Sequence, residues 1–212
     1  MTARPFGGAR VVAVVTIDDP DVAEPVGEAL TSGGLWAAEV TFRSAAAEEA
    51  LRRMSASSQL LVGAGTVVSA RQVDLAVDAG AQFIVSPGLN NKVVERATER
   101  GVPVYPGVAT ATEVIAALDL GLNCLKLFPA EPLGGVAMVK ALSAAFPAVS
   151  FVPTGGISAA SLRNYLALPS VAAVGGSWMV SPNLLLNRRF QDVARLAAET
   201  VALSGDELWR SK

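Results

Sequence analysis

The chain has 212 residues, 51% of them hydrophobic and 17% charged, with a net charge of −2. That is ample apolar material for a sizeable core, and the absence of a basic run argues against nucleic acid or an anionic membrane as partner. One cysteine and no histidine exclude an intrachain disulfide, Ser-His and Cys-His catalysis and nearly all zinc-site patterns.

Proton transfer therefore falls to carboxylate, lysine, tyrosine, hydroxyl or water. No apolar stretch reaches the ~18 residues of a membrane span. Met1 to Arg10 is too short and polar for a secretory signal, and the lone Cys124 fits a reducing cytoplasm.

Val11 to Val15 is a β-branched apolar run, read as the first strand. Asp18-Asp19-Pro20-Asp21 is a turn and helix N-cap rather than a metal site, since no second carboxylate cluster completes one. A helix follows from Val22 to Leu30 and stops at Ser32-Gly33-Gly34. Trp36 to Phe42 is the second strand. Ser44 is expected to cap a helix to Met54, with Glu48 and Glu49 in the first turns where the dipole favours them. Leu60 to Ala64 is the third strand, and Ser69 caps a helix ending at Ala79-Gly80. Gln82 to Ser86, Val102 to Tyr105 and Asn123 to Phe128 are the next three strands. Helices from Asn90 to Arg100, Thr112 to Leu120 and Gly135 to Ala145 follow them in turn. Ser150 to Pro153 and Val171 to Val174 are the last strands, followed by helices from Ser161 to Leu166 and Leu186 to Leu203.

Strict alternation of strand and helix implies a parallel sheet, and continuously apolar strands imply burial on both faces. Eight such units in a chain of this length predict a minimal (β/α)8 TIM barrel, with an open doubly wound sheet as the alternative. No linker, low-complexity tract or charge block divides the chain, so residues 1–212 are read as a single domain. In a barrel the active site forms at the strand C-termini, and the unusual residues of this chain fall there.

Lys126 is one of four lysines, and it alone sits in an apolar strand, between Leu125 and Leu127. Alternation turns it inward if the leucines pack outward. Burial of an amine disfavours its ammonium form, and the free amine condenses with ketones to give a Schiff base. The other reading is a lysine snorkelling to solvent. Glu39, Thr41 and Arg43 share one parity on the second strand. Glu39 is either a proton shuttle beside Lys126, with Arg43 free for a substrate carboxylate, or half of a structural Glu39–Arg43 ion pair. Thr66, after Gly63-Ala64-Gly65, is a hydrogen-bond donor to a ligand or the cap of a tight turn. Thr154-Gly155-Gly156 and Gly175-Gly176-Ser177 end the last two strands, where exposed backbone amides favour phosphate. Cys124, with no histidine to activate it, reads as a small buried hydrophobe.

Glu39-Val40-Thr41-Phe42-Arg43, Val62-Gly63-Ala64-Gly65-Thr66, Ser86-Pro87-Gly88, Lys126-Leu127-Phe128-Pro129-Ala130, Thr154-Gly155-Gly156-Ile157 and Gly175-Gly176-Ser177-Trp178 together resemble the 2-keto-3-deoxy-6-phosphogluconate (KDPG) aldolase family. The likeness covers nearly the whole chain in the same order. It implies a (β/α)8 class I aldolase, a homotrimer needing no metal or other cofactor, which splits KDPG into pyruvate and glyceraldehyde 3-phosphate. Some members also act on 2-keto-4-hydroxyglutarate (KHG). The resemblance implies Lys126 as Schiff-base lysine and Glu39 as acid/base. Arg43 and Thr66 would hold the pyruvate carboxylate, and Pro87 and Phe128 would shape the pocket. Thr154, Gly155, Gly156, Gly176 and Ser177 would line the phosphate site.

Two departures stand out. The segment before the first strand is short, where many members carry a helix closing the barrel base. Val12-Ala13-Val14 also stands where members often have a proline. Three alternatives stay open: an aldolase for the galactonate epimer, a phosphosugar isomerase or thiamin-phosphate synthase-like transferase on the same kind of barrel, and a non-catalytic sugar-phosphate sensor.

Overall fold

A computed structural model describes residues 4–57 and 59–205; Met1, where the secretory-signal reading begins, and Lys212 lie outside the described residues. The strands are β1 (Val11–Val15), β2 (Ala37–Thr41), β3 (Leu61–Gly65), β4 (Ile84–Val85), β5 (Val104–Tyr105), β6 (Gly107–Val108), β7 (Cys124–Leu127), β8 (Ser150–Pro153) and β9 (Val174–Gly176). The helices are α1 (Ala23–Ser32), α2 (Ala47–Ser57), α3 (Ala70–Asp78), α4 (Asn91–Glu99), α5 (Ala111–Asp119), α6 (Gly135–Ala145), α7 (Ala159–Leu166), α8 (Pro182–Leu186) and α9 (Phe190–Ser204). The strands pair in parallel as two sheets, ordered β5-β4-β3-β2-β1-β9 and β6-β7-β8. This is an α/β fold with a curled parallel sheet. Isolated parallel bridges Phe151↔Val171 and Thr154↔Gly175 run from β8 toward β9, and only Pro106 separates β5 from β6.

Side-chain alternation divides the core in two. Val11, Ala13, Val15, Val40, Val62, Leu125, Leu127 and Phe151 join the large cluster that includes the inner faces of the helices. Val12, Ala37, Phe83, Val85, Tyr105, Val152 and Ala173 form a second cluster with Phe6, and Cys124 packs against it. Several of these residues stand at or just before the start of a strand, so this cluster fills the inner face toward the strand N-termini. Phe6 closes that end. It is 3% exposed, and its ring lies 5.0 Å from Phe83 and 4.2 Å from Tyr105. A 3₁₀ turn at Pro5–Gly8 delivers it, so the short N-terminal segment supplies a plug with one aromatic residue. No helix of the described residues is long and apolar enough to cross a membrane.

Several boundaries differ from the sequence reading. The fourth strand narrows from Gln82–Ser86 to Ile84–Val85. The fifth is split, because Pro106 has no N–H to donate, and the chain resumes pairing at Gly107–Val108. The last strand lies at Val174–Gly176; Val171 contributes only its bridge to Phe151. The last helix is two, broken where Arg188 adopts φ 50°. Ser44 does not cap α2. Its hydroxyl donates to the carbonyl of Ile17, and the helix begins at Ala47. Ser69 does cap α3, accepting from the backbone N–H of Gln72, and Asn90, read as the first helical residue, is the cap of α4 and accepts from the backbone N–H of Lys92.

Candidate active site

Lys126 and Glu39 come from β7 and β2, which are not neighbours in either sheet, yet both side chains point to the inner face. Each residue is 4% exposed. Lys126 Nζ donates to Glu39 Oε1 at 3.3 Å. The inward lysine follows from the outward packing of Leu125 and Leu127, both fully buried in the helix-facing cluster. The space for Glu39 comes from β3. A Cβ on Gly65 would lie 2.9 Å from both Cδ and Oε1 of Glu39, so only glycine leaves the carboxylate room. A buried amine against a buried carboxylate can pass a proton between them without solvent.

Glu39 does not pair with Arg43, which removes the alternative of a structural Glu39–Arg43 pair. Glu39 is taken up by Lys126, and β2 ends at Thr41, so Arg43 leaves the strand before it could turn back to Glu39. Arg43 instead stands in the turn after β2, and its Nη2 donates to Thr16 Oγ1 at 2.8 Å.

Above the pair lies a cleft of about 420 Å³. It is lined by Arg43, Phe128, Thr154, Gly155, Gly156, Gly175, Gly176 and Ser177, eight of the residues singled out in the sequence. Phe128 joins the two levels: its ring centroid is 5.2 Å from Lys126 Nζ, within cation–π reach, and its ring also walls the cleft. Gly155 and Gly156 adopt φ 104° and 82°, in the region where glycine alone is unstrained, and both line the cleft. Arg43 is the one charged side chain in that lining among the described residues. An anion entering the cleft therefore meets a guanidinium on one side and small-residue loops on the other.

Lys126 and Glu39 lie beneath this lining rather than in it, and Thr66 and Pro87 also fall outside it. Thr66 follows β3 directly and holds φ 58°, a conformation unusual for a β-branched residue. Pro87 stands at the same rim as the lysine: a Cβ on Gly107 would meet its carbonyl oxygen at 2.1 Å, and Gly107 pairs in register with Lys126. Val14, Thr16, Ile157, Val180 and Pro182, which complete the cleft, were given no role in the site by sequence reasoning. Thr16 was within reach, since it is the polar residue directly after β1, where strand-end residues face the site.

Cys124 lies two residues before Lys126 at the opposite end of the inner face, and burial pushes its thiol up to about 11. It does not take part in the constellation. Among the described residues no group of three or more His, Cys, Asp or Glu side chains is arranged to hold a metal ion.

The family model "Aldolase: KDPG and KHG aldolase" matches residues 5–196 of this chain. The 2-dehydro-3-deoxy-phosphogluconate aldolase of Treponema pallidum is 45% identical over 197 residues, 92% of this chain and 94% of that protein. The KDPG aldolase of Legionella pneumophila, solved with pyruvate captured at low pH as a covalent carbinolamine intermediate, superposes with a TM-score of 0.88 at 38% identity, covering 92% and 95% of the two chains. The KDPG aldolase of Zymomonas mobilis ZM4, solved with 3-phosphoglycerate, gives a TM-score of 0.87 at 41% identity and covers 92% of each chain. Matched over most of its length by this family and by these relatives, the chain belongs to the KDPG and KHG aldolases and is an aldolase, a lyase acting on carbon–carbon bonds.

Proposed function

We propose that the enzyme cleaves 2-keto-3-deoxy-6-phosphogluconate to pyruvate and D-glyceraldehyde 3-phosphate through an imine on Lys126, and accepts KHG as a second substrate. The observation that carries this reading is the buried Lys126–Glu39 contact at 3.3 Å beneath a cleft walled by two glycine-rich loops. The carbinolamine reported for the Legionella relative supports the same chemistry.

Lys126 Nζ adds to the C2 ketone, and Glu39 passes the proton that turns the carbinolamine hydroxyl into departing water. The resulting iminium draws the C3–C4 bonding electrons toward nitrogen. Glu39, directly or through water, takes the C4 hydroxyl proton as that bond breaks. The C4 fragment leaves as aldehyde, and the enamine gains a proton at C3. Water then adds to C2, releasing pyruvate and the free amine. Arg43 and Thr66 hold the carboxylate, and Pro87 and Phe128 bound the reacting carbons. Thr154, Gly155, Gly156, Gly176 and Ser177 receive the phosphate at the far end.

The test is borohydride reduction in the presence of pyruvate. A stable pyruvate adduct at Lys126, found by peptide mass spectrometry and absent in Lys126→Met, is the expected result. An unmodified Lys126, or full aldol cleavage by Lys126→Met, would overturn the reading.

We further infer that the two sheets are one closed (β/α)8 barrel in a single domain. The β8–β9 bridges and the lone Pro106 between β5 and β6 support closure at the two seams. A homotrimer acting in the cytoplasm follows from the family resemblance and the single cysteine. Light scattering on the purified enzyme tests the trimer.

A further inference from the structure

We propose that Thr16 is a positioning residue that fixes the Arg43 guanidinium for the substrate carboxylate. The inference rests on the reading of Arg43 as the carboxylate-binding group.

Arg43 stands on a turn after β2 and belongs to the exposed residues of the chain. A long side chain in that position loses substantial rotamer freedom when it grips a ligand. One contact holds it beforehand: Nη2 donates to Thr16 Oγ1 at 2.8 Å. The Thr16 hydroxyl also shares a hydrogen bond with Thr41 Oγ1 at 2.9 Å, and Thr41 is 1% exposed. Thr41 shares the inward face of β2 with Glu39 and is the last residue of that strand, two before Arg43. The hydroxyl pair thus anchors the arginine to a rigid buried position on the strand that carries the proposed acid/base.

The backbones are coupled beside this contact. Ser44, next to Arg43, donates its hydroxyl to the carbonyl of Ile17, next to Thr16. Two adjacent hydrogen bonds therefore join the loop after β1 to the loop after β2. Thr16 is also a neutral partner. A carboxylate there would neutralise the guanidinium and compete with the substrate, whereas a hydroxyl orients it and leaves its charge for an incoming anion. Thr16 itself lines the cleft beside Arg43.

The experiment is steady-state cleavage of KDPG by Thr16→Val, Thr16→Ser, Arg43→Gln and the Thr16→Val/Arg43→Gln double variant, with thermal melts on each. Valine keeps the shape of threonine on a strand end, and serine keeps the hydroxyl. Thr16→Val should raise KM about tenfold with kcat within about twofold, as expected for loss of one hydrogen bond to a charged group. Thr16→Ser should stay near wild type. In the Arg43→Gln background Thr16→Val should change nothing further. A Thr16→Val KM equal to wild type, or losses that simply add in the double variant, would overturn the proposal while leaving Arg43 in its role. A KM unchanged in Arg43→Gln would overturn both this proposal and the reading beneath it. If Thr16→Val melts below the assay temperature, Thr16→Ala read in the same two backgrounds decides by the same criteria.

Discussion

Lys126 and Glu39 meet at 3.3 Å across the inner face, each 4% exposed and each from a strand that the other's sheet does not contain. A lysine or glutamate buried to this extent needs a partner, and here each is the other's. Two measurements follow. Glu39→Gln should lower turnover by about 10²–10⁴-fold, since it removes the proton carrier while keeping shape. Lys126→Met should cost about 3 kcal/mol of stability by stranding a buried carboxylate, and adding Glu39→Gln should restore most of it. Urea unfolding of the single and double variants checks this. A Lys126→Met chain as stable as wild type would mean that the pair carries no mutual stabilisation.

Gly65 sets the position of that carboxylate. It pairs in register with Thr41, and a Cβ there would come within 2.9 Å of Glu39 Cδ and Oε1. Gly65→Ala should therefore push Glu39 away from Lys126 and lower kcat by about 10²-fold, because a displacement of about 1 Å in a reacting group has effects of that size. The fold should persist, since the flexible end of Glu39 yields rather than backbone. A Gly65→Ala enzyme with wild-type kcat would show that Glu39 tolerates the shift.

How much of this was legible in the sequence depends on which interactions follow the period of the strand. The inward turn of Lys126 follows from two flanking leucines, and the inward face of β2 from the parity of Glu39 and Thr41; both are local and two-residue periodic. The glycine loops were legible because their composition is extreme. What was not legible arises between strands. Nothing local says that Arg43 leans to Thr16, twenty-seven residues away, rather than to Glu39 four residues before it. Pro106 reads as the end of a strand, although Gly107 beyond it pairs with Lys126. The left-handed Thr66 carries no signal either, because threonine is among the residues least expected at φ 58°.

Phe6 closes the end of the inner face away from the site. It packs edge-on to Phe83 and tilted against Tyr105, and its backbone N–H donates to the Tyr105 hydroxyl at 3.4 Å. Phe6→Ala should cost about 3–5 kcal/mol, the range for removing a buried aromatic ring. Turnover per folded molecule should stay within about twofold, because the plug and the Lys126–Glu39 pair sit at opposite ends of the strands. Denaturant unfolding together with active-site titration separates the two effects. A loss below about 1 kcal/mol would show that the segment before β1 does not seal the core.

Cys124 gives a test that does not depend on activity. It packs against the Phe6 cluster, and burial pushes its thiol up to about 11 from an ordinary value of 9.0, with a Ser150 hydrogen bond opposing the shift only in part. Only the thiolate reacts with an alkylating agent. Two units of elevation leave roughly a hundredfold less thiolate at pH 7.5 than an ordinary cysteine has. Iodoacetamide should therefore label Cys124 about a hundredfold more slowly in the native enzyme than in urea. Because the folded thiol titrates at the higher value, the native rate should go on climbing with pH past the point where the unfolded rate levels off. Equal native and unfolded rates at pH 7.5 would mean that Cys124 is open to solvent and that the inner face is not sealed at that end.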